Sequence, residues 1–464
     1  MASSRAADTG ALNAPALIAR LERVPFSAWH LRAQVVVGSA TFFDAFDALS
    51  LAFVLPVLVR LWQITPAQVG WLIATGYLGQ FVGALVFGGL AERYGRVRSV
   101  AGATALMSAM SITCALSGGF ATLLTLRLIQ GIGVGGEMPV AAVYINELSK
   151  AHGRGRFFLL YQLIFPVGLM MTGQIGAVLV PTLGWQVMFL IGGIPGLIVT
   201  VLLLRLPESP RWLISKGRLA EAEAVIREIE ASAANEPRTS EPRTTEPRTA
   251  EPRTSEPPPV RARAGELFSP VYRARTVIVW ALWACAYFIT NGLNNWMPTL
   301  YSSVYQLSLA QALRAATLTN VAQVVILLGC AIAIDRVGRR RWTVAGFLVG
   351  AGLLGILGTF AAHSVVSVIA LVTVSYGVVG SVNAVLYLYT PEIYPTRMRA
   401  VATGLATCWL RLASAAGPVL VGYLVAKSGT GAVFLMFAAV GVVGGAAALA
   451  MLETRNRSLE ELAP

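Results

Sequence analysis

The chain contains two similar charged segments, Gly88-Gly-Leu-Ala-Glu-Arg-Tyr-Gly-Arg96 and Ala331-Ile-Ala-Ile-Asp-Arg-Val-Gly-Arg-Arg-Arg341. Each segment connects two long apolar stretches, so the sequence has the form of an internal duplication. Duplicated halves in a chain that crosses a membrane many times are typical of secondary transporters. The two segments therefore predict a pair of related membrane domains joined in one polypeptide.

The composition is that of a membrane protein, since 56% of the 464 residues are hydrophobic and only 13% are charged. A stretch of about 20 apolar residues can cross roughly 30 Å of hydrocarbon as a helix. Six such stretches lie in each half of the chain, at 33–61, 68–91, 99–117, 120–146, 157–181 and 185–206, and at 276–301, 309–334, 342–361, 364–390, 400–426 and 431–452. The expected fold is all-α, with twelve transmembrane helices in two six-helix halves.

The predicted organisation is a cytoplasmic tail at 1–25, a first half at 26–206, a cytoplasmic loop at 207–265, a second half at 266–454 and a cytoplasmic tail at 455–464. Within the loop, residues 219–231 are expected to form a short amphipathic helix. Repeated Glu-Pro-Arg-Thr units follow, and their regularly spaced prolines exclude a continuous helix. These repeats are expected to form an extended linker.

Basic residues cluster in alternate connections, at 93–98, 150–156, 336–341 and 397–399. By the positive-inside rule these connections and both termini are cytoplasmic. The same bias accounts for the net charge of +13, and because the charges are not gathered on one folded domain, no nucleic-acid partner is expected. The four cysteines lie in apolar spans without CxxC spacing, so neither a metal nor a cofactor is expected.

Further motifs occur in the same order as in a known superfamily. They are Arg127-Leu-Ile-Gln-Gly-Ile-Gly-Val-Gly-Gly136, Pro207-Glu-Ser-Pro-Arg211 and Pro391-Glu-Ile-Tyr-Pro-Thr-Arg-Met-Arg399. Together with the paired charged segments they resemble those of the major facilitator superfamily. The departures are Glu92 where the loop motif usually has Asp, Val97 where it usually has a basic residue, and Ala331 where it has Gly.

Two stretches indicate a branch within that superfamily, Phe43-Asp-Ala-Phe-Asp47 and Gly135-Gly-Glu-Met-Pro-Val140. They are similar to those of bacterial niacin permeases, aromatic-acid proton symporters, and the relatives of synaptic vesicle glycoprotein 2 and the organic ion transporters. Sugar porters share several loop motifs and are a weaker match. The resemblance implies a monomeric multi-pass protein of the plasma membrane, here a bacterial inner membrane, that takes small organic anions and protons as partners.

Proton coupling is predicted from the depth of three ionisable side chains. Asp44 and Asp47 lie roughly 17–21 Å along the first span, and Arg127 lies roughly 10 Å from the outer end of the fourth, so all three can be at a similar level. Two carboxylates that share a helix face repel each other, so one should hold a proton near neutral pH. The alternative is a structural tie between one Asp and Arg127. Glu137, roughly 15 Å further inward, is either a second protonation site or a hydrogen-bonding group within the bundle.

The sign of the substrate is predicted from Arg411, which lies roughly 18 Å along the eleventh span and so close to the midplane. The nearby spans of the second half carry no acid at that depth, so the expected partner is a substrate carboxylate held in a bidentate fork. Organic anion transporters of the resembled family carry Arg at the matching place. The alternative is that Arg411 caps helix ends or reaches the carboxylates of the first span.

Two further groups of residues are predicted to have functional roles. The substrate pocket is expected to use polar and aromatic side chains at similar depth, namely Asn291, Asn294, Asn295, Trp296, Tyr376, Asn383, Tyr387 and Trp409, with Phe43, Tyr144 and Gln162 from the first half. The resemblance implies a cytoplasmic gate of ion pairs that latch the outward-open state, formed by Glu92, Arg93, Glu147, Arg154, Glu208, Asp335, Arg336, Glu392 and Arg399. Gly95 and Gly338 are expected to permit tight turns in the two charged segments, and Arg93 and Arg336 to tie each segment to neighbouring helix ends.

Three functions are compatible with these residues. The first is a proton-coupled symporter that imports a small aromatic or heteroaromatic monocarboxylate such as nicotinate, by alternating access. The second is a sugar or polyol symporter, which would leave Arg411 without an anionic partner. The third is a membrane sensor that does not transport, although the sequence offers no soluble output domain. An enzyme is not expected, because no nucleophile and base occur in a catalytic arrangement.

Overall fold

A computed structural model describes residues 13–148, 164–234, 264–360, 364–395 and 398–455. Throughout these ranges the regular structure is helical and no strand is present. Long apolar segments form helices in lipid because only a helix satisfies every backbone hydrogen bond within one segment. The expected all-α class is therefore confirmed.

The first half contains a short helix α1 (Ala14–Arg23) followed by long apolar helices. These are α2 (Ala28–Trp62), α3 (Pro66–Tyr94), α4 (Arg96–Ala115), α5 (Phe120–Leu148), α6 (Ile164–Leu183) and α7 (Gln186–Leu203). Helix α3 begins sharply because Thr65 and Gln68 form a capping box and Pro66 occupies the first turn. Two shorter helices, α8 (Pro210–Ser215) and α9 (Leu219–Ala234), follow in the central loop.

The second half begins with a 3-10 turn (Ala264–Phe268) and continues with five helices. These are α10 (Arg273–Ser303), α11 (Leu309–Val337), α12 (Arg339–Thr359), α13 (Val365–Glu392) and α14 (Arg399–Leu449). Helix α14 covers the last two predicted spans, and Gly429 interrupts it with φ 77° and ψ −178°, which is not helical. The chain therefore turns at Gly429 between the eleventh and twelfth spans.

In the described ranges ten helices are long and apolar enough to cross a membrane, and α14 is one of them. Helix α4 is not among the ten, because it starts with Arg96 and Arg98 and carries several buried serines and threonines. Counting α4, and counting α14 as two spans, each predicted span matches a described helix. The described helices therefore agree with the predicted twelve spans in two six-helix halves.

The two halves meet mainly along three pairs of helices: α3 with α14, α6 with α11, and α2 with α10. We call the side of the bundle that carries the Gly95 and Gly338 turns the basic face, and the other side the opposite face. At the opposite face Arg60 donates a hydrogen bond to Ser302 Oγ across the halves at 3.0 Å. There the backbones of α3 and α14 also approach closely, since a Cβ atom on Gly422 would lie 2.3 Å from Pro66 O. The opposite face is therefore closed.

Helices α1 and α9 pack together on the basic face of the first half. Arg20 forms ion pairs with Glu230 at 2.7 Å and Glu223 at 3.5 Å, and Trp29 Nε1 donates to Glu228 at 3.1 Å. Hydrogen bonds from Arg227 and Arg20 hold the pKa of Glu223 below its usual value. The amphipathic helix predicted at 219–231 is thus present as α9, and it fixes the start of the chain to the central loop.

Candidate transport site

Asp47 lies at the centre of a buried polar network in the first half. Its Oδ1 accepts a hydrogen bond from Ser111 Oγ at 2.8 Å, and its Oδ2 accepts one from Gln130 Nε2. Gln130 Oε1 in turn accepts from Arg127 Nη1 at 2.7 Å. Arg127 therefore reaches Asp47 through Gln130, and every carboxylate oxygen of Asp47 has a donor.

The sequence of α3 makes room for Arg127. A Cβ atom on Gly76 would lie 3.1 Å from Arg127 Nη2, so the guanidinium occupies the space above a residue without a side chain. Arg127 is only 6% exposed. Its positive charge also acts on Asp47, which offsets the cost of burying that carboxylate.

Asp44, one turn before Asp47 on α2, has a different environment. Asp44 is 2% exposed, and its Oδ1 has no hydrogen-bond partner among the described residues. The charged groups that act on it are Glu137, Asp47 and Arg411. Asp44 and Asp47 therefore share a helix face, as expected, but only Asp47 belongs to the Gln130 network.

Glu137 on α5 faces the same region of α2. Its Oε1 accepts a hydrogen bond from Thr41 Oγ1 at 3.0 Å, while its Oε2 is buried without a partner in the described part of the chain. Thr41 is one turn before Asp44, so Glu137 lies beside the first span at nearly the level of Asp44. The distance along α5 from Arg127 puts Glu137 well away from the Gln130 network.

Arg411 extends from α14 toward the first half. Its Nη2 lies 3.5 Å from the backbone oxygen of Gly135, and its Nε is buried without a hydrogen-bond partner in the described ranges. Asp44 is the acid whose charge acts on Arg411, yet the described residues place no carboxylate oxygen within ion-pair distance of the guanidinium. Arg411 is thus a half-buried cation at the contact between the halves.

An aromatic cluster on α10 and α13 lies beside Arg411. The ring of Trp283 stacks on Tyr287 with centroids 5.6 Å apart, and it meets Tyr387 edge-on at 4.6 Å. Both tyrosines are close enough to Arg411 to interact with its charge. The sequence prediction included Tyr387 but missed Trp283 and Tyr287. These two residues precede Asn291 and Asn295 at intervals of four on α10, a spacing that could have identified them.

The predicted polar side chains mostly connect helices. Asn295 donates to Tyr77 Oη at 3.1 Å across the halves, Asn291 donates to Ser414 Oγ at 2.6 Å, and Asn383 donates to Thr290 Oγ1 at 3.1 Å. Tyr376 is buried close to Tyr77, and Asn294 is half-buried. Trp296 is buried, and its Nε1 donates to Pro418 O at 3.1 Å. These residues surround the region between Arg411 and the closed opposite face.

The structure does not bring three other predicted pocket residues to this region. Trp409 is two residues before Arg411 on α14, which corresponds to a rotation of about 200° around the helix axis. Trp409 therefore points away from Arg411, and it is 40% exposed and packs on Trp280. Tyr144 is buried near the basic face and donates to Pro207 O at 2.9 Å. Phe43 packs edge-on against Phe42. Gln162 lies outside the described residues.

The basic face carries the same arrangement of charged groups in each half. Gly95 (φ 113°) and Gly338 (φ 93°) turn the chain into α4 and α12, as predicted. The carboxylate of Glu208 accepts hydrogen bonds from the first backbone amides of α4, and that of Glu453 does the same for α12. A carboxylate at this position complements the positive end of the helix dipole.

Ion pairs next to these turns join helix ends within each half. Arg96 pairs with Glu92 at 2.7 Å and Glu147 at 3.1 Å, and Arg339 pairs with Glu392 at 3.3 Å. Among the described residues these ties are formed by Arg96 and Arg339, whereas Arg93 and Arg336 were expected to form them. Both are exposed, and Arg93 lies over the ring of Tyr94.

Arg96 and Arg339 directly follow the two glycines, begin the next helices and point back into the bundle. Arg93 and Arg336, two residues before the glycines, face solvent. Arg399 donates to Tyr394 O at 3.0 Å and remains within its half. Arg154 lies outside the described residues, as does the side chain of Asp335. No hydrogen bond or ion pair between the basic ends of the two halves occurs among the described residues, so the gate role of these groups stays a prediction.

Comparison with known proteins agrees with this architecture. The sugar (and other) transporter family matches residues 32–464. The chain is 32% identical to the niacin transporter of Acinetobacter baylyi over 96% of its own length and 99% of that protein. It is 28% identical to the 4-hydroxybenzoate transporter of the same organism, covering 86% of this chain and 85% of that one.

The solved structures include the xylose transporter XylE from E. coli in a partially occluded inward-open conformation. It superposes with a TM-score of 0.71 at 20% identity and covers 93% of this chain and 100% of that one. At this identity the likeness shows the fold. Together with the family match over most of the sequence, it shows that the chain is a secondary transporter and not an enzyme: it belongs to the sugar (and other) transporter family of the major facilitator superfamily.

Proposed function

We propose that this transporter imports a small aromatic or heteroaromatic monocarboxylate, such as nicotinate or a benzoate-type acid, together with protons. The observation that carries this proposal is Arg411. It is a half-buried guanidinium at the contact between the halves, and its one described hydrogen bond, to Gly135 O, is long. A planar carboxylate can replace that contact with two charge-assisted hydrogen bonds, which Arg geometry favours.

The aromatic cluster next to Arg411 supports a flat ring as the rest of the substrate. Trp283, Tyr287 and Tyr387 present large apolar faces within reach of a carboxylate held by Arg411. Aromatic walls bind planar rings through offset or edge-to-face contacts. The relatives named for niacin and 4-hydroxybenzoate transport carry such molecules, an acid group on one aromatic ring, which is consistent with this pocket.

The import direction depends on the orientation of the bundle. Basic residues concentrate on the face that carries Gly95 and Gly338, and this face is cytoplasmic by the positive-inside rule. The described contacts between the halves lie at the opposite face and near the midplane. The structure then corresponds to an inward-facing state, from which a substrate taken up outside would leave into the cytoplasm.

Proton coupling is supported by three buried acids in the first half. Asp44, Asp47 and Glu137 are each at most 2% exposed. Buried carboxylates in a membrane protein are costly and are usually retained for function. Asp44 interacts with the charge of Arg411, and Glu137 lies on α5, whose Gly135 contacts Arg411, so their protonation can respond to the charge of a bound substrate.

A sugar is the second candidate, since the family and the solved xylose transporter include sugars in their names. A neutral sugar would leave Arg411 without an anionic partner. Purified protein in liposomes preloaded with unlabelled nicotinate tests both candidates, through exchange for external radiolabelled nicotinate. We expect benzoate and 4-hydroxybenzoate to inhibit this exchange and nicotinamide and xylose to leave it unchanged. Exchange of xylose without exchange of nicotinate would reverse the assignment.

A further inference from the structure

The three buried acids are not equivalent. Asp47 has a donor for each carboxylate oxygen, from Ser111 and Gln130, and Arg127 lies behind Gln130. Asp44 Oδ1 and Glu137 Oε2 are buried and have no partner among the described residues. An ionised carboxylate with an unsatisfied buried oxygen is unfavourable, whereas a proton on that oxygen removes most of the cost.

Asp44 and Glu137 face each other across α2 and α5. Thr41 Oγ1 donates to Glu137 Oε1 at 3.0 Å, and Thr41 and Asp44 are neighbours on one helix face. The charge of Glu137 acts on Asp44, together with those of Asp47 and Arg411. When two buried carboxylates act on each other in this way, the state in which both are ionised is disfavoured.

We infer that Asp44 and Glu137 share one proton and form the proton-coupling site, whereas Asp47, Gln130 and Arg127 form a structural tie between α2 and α5. The inference rests on the proposed function. One proton serves the pair because a negative charge on either carboxyl raises the cost of ionising the other, while Thr41 holds Glu137 in place. The charge partner of the site is Arg411 in the other half and not Arg127.

A count of charges explains how such a site couples proton and substrate. With one shared proton, the pair carries one negative charge, Arg411 one positive charge and a bound monocarboxylate one negative charge, which gives −1. After both the substrate and the proton have left, the ionised pair and Arg411 again give −1. Substrate without the proton would give −2 in a region of low dielectric, which is costly. The loaded and the empty state therefore carry equal charge, and in the empty state the charge of Arg411 offsets part of the repulsion within the ionised pair.

In the transport step the proton comes from water on the outer side and binds one oxygen of the pair. It leaves to water on the basic face after the substrate carboxylate has released Arg411. The guanidinium is then free to stabilise the ionised pair. On the outer side an O–H bond of a hydronium ion breaks as the O–H bond of the pair forms, and on the basic face the O–H bond of the pair breaks as a water molecule takes the proton.

Infrared difference spectroscopy of the purified, ligand-free protein tests the shared proton without any substrate. The band of protonated carboxyl groups is followed as a function of pH in the wild type and in Asp44→Asn, Glu137→Gln and Asp47→Asn. We expect a titration step that is displaced by both of the first two substitutions and least by the third. A step that does not move in Asp44→Asn or in Glu137→Gln, or that moves most in Asp47→Asn, would overturn the shared site.

Transport assays provide the second measurement. Asp44→Asn and Glu137→Gln should retain at least about half of the wild-type nicotinate exchange and lose accumulation driven by a pH gradient, whereas Asp47→Asn should lower both together. Gradient-driven accumulation that survives in Asp44→Asn and Glu137→Gln contradicts the inference. If the wild type does not exchange nicotinate at all, the proposed substrate fails, and the infrared titration still decides on the proton site.

Discussion

Arg411 of the second half and the backbone oxygen of Gly135 in the first half lie 3.5 Å apart, at the outer limit of a hydrogen bond. A contact of this length contributes little, so the halves are not locked together through Arg411. A substrate carboxylate can take its place at small cost and bring the guanidinium two shorter bonds. The contact thus marks the point where substrate binding and the relative movement of the halves can be linked.

Replacing Arg411 should weaken substrate binding through the loss of charge. Breaking a buried ion pair by removing one partner typically costs about 3–5 kcal/mol, which corresponds to a loss of affinity of about 100-fold or more. We expect Arg411→Ala to reach this range for nicotinate, measured by calorimetry on purified protein. Arg411→Lys should also be impaired, because an ammonium lacks the two-pronged geometry.

Arg314→Ala is the matched control for Arg411, because Arg314 is exposed on α11. We expect it to bind nicotinate as the wild type does. Normal binding in Arg411→Ala, or a wild-type preference for the uncharged nicotinamide, would show that the substrate is not held as an anion at this residue.

Gly95 should not tolerate a side chain, for two structural reasons. Its φ of 113° and ψ of 160° are accessible essentially only to glycine, and such a conformation costs another residue about 1–3 kcal/mol. A Cβ atom would also lie 2.1 Å from Glu208 Oε2. We expect Gly95→Ala to lower the midpoint of thermal unfolding in detergent.

Gly89 belongs to the same loop motif and is the control for Gly95. It is helical, and a Cβ atom there would meet nothing within 4 Å. Gly89→Ala should leave the midpoint unchanged or raise it, since an Ala that fits the native backbone stabilises by about 0.4–1 kcal/mol. Equal effects of the two substitutions would contradict this account of the turn.

Hydropathy allowed nearly the whole fold to be predicted. The described helices contain or closely match the predicted spans because the requirement to cross the hydrocarbon fixes both length and composition. Helix α2, for example, extends only a few residues beyond the predicted 33–61. The directions of side chains next to the turns could not be predicted in the same way. The sequence showed that Gly95 permits a turn, but it could not show that the turn directs Arg96 inward and leaves Arg93 in solvent.

The candidate site was predicted in part, because depth along a helix can be counted whereas rotation about its axis depends on packing. Counting residues along each helix predicted the depths of Asp44, Asp47 and Arg411 in the membrane. It could not show that Gln130 lies between Arg127 and Asp47, nor that Trp409 points away from Arg411. The role of Gln130 is evident only from its contacts with Arg127 and Asp47.

The ion pair between Arg96 and Glu147 should stabilise the first half. The nitrogen and oxygen atoms lie 3.1 Å apart, and the two side chains are only 10% and 18% exposed. Pairs in direct contact usually show coupling energies of about 0.5–3 kcal/mol. We expect a double-mutant cycle of Arg96→Ala and Glu147→Ala, measured by equilibrium unfolding in mixed micelles, to give a stabilising coupling in this range.

Arg93→Ala provides the comparison for Arg96, since Arg93 is exposed beside Tyr94. Its effect on stability should stay within about 0.5 kcal/mol, as for most surface substitutions. A coupling of zero between Arg96 and Glu147 would contradict this role of the ion pair. A larger loss of stability from Arg93→Ala than from Arg96→Ala would mean that Arg93, and not Arg96, holds the helix ends.

In the proposed cycle one monocarboxylate and one proton move together, so each cycle carries no net charge across the membrane. The most direct measurement is uptake of radiolabelled nicotinate into proteoliposomes under a pH gradient alone and under a membrane potential alone. We predict accumulation when the outside is acidic, abolished by a protonophore, and no accumulation when only the potential is imposed. Accumulation driven by the potential without a pH gradient, or none under either condition despite active exchange, would contradict the account.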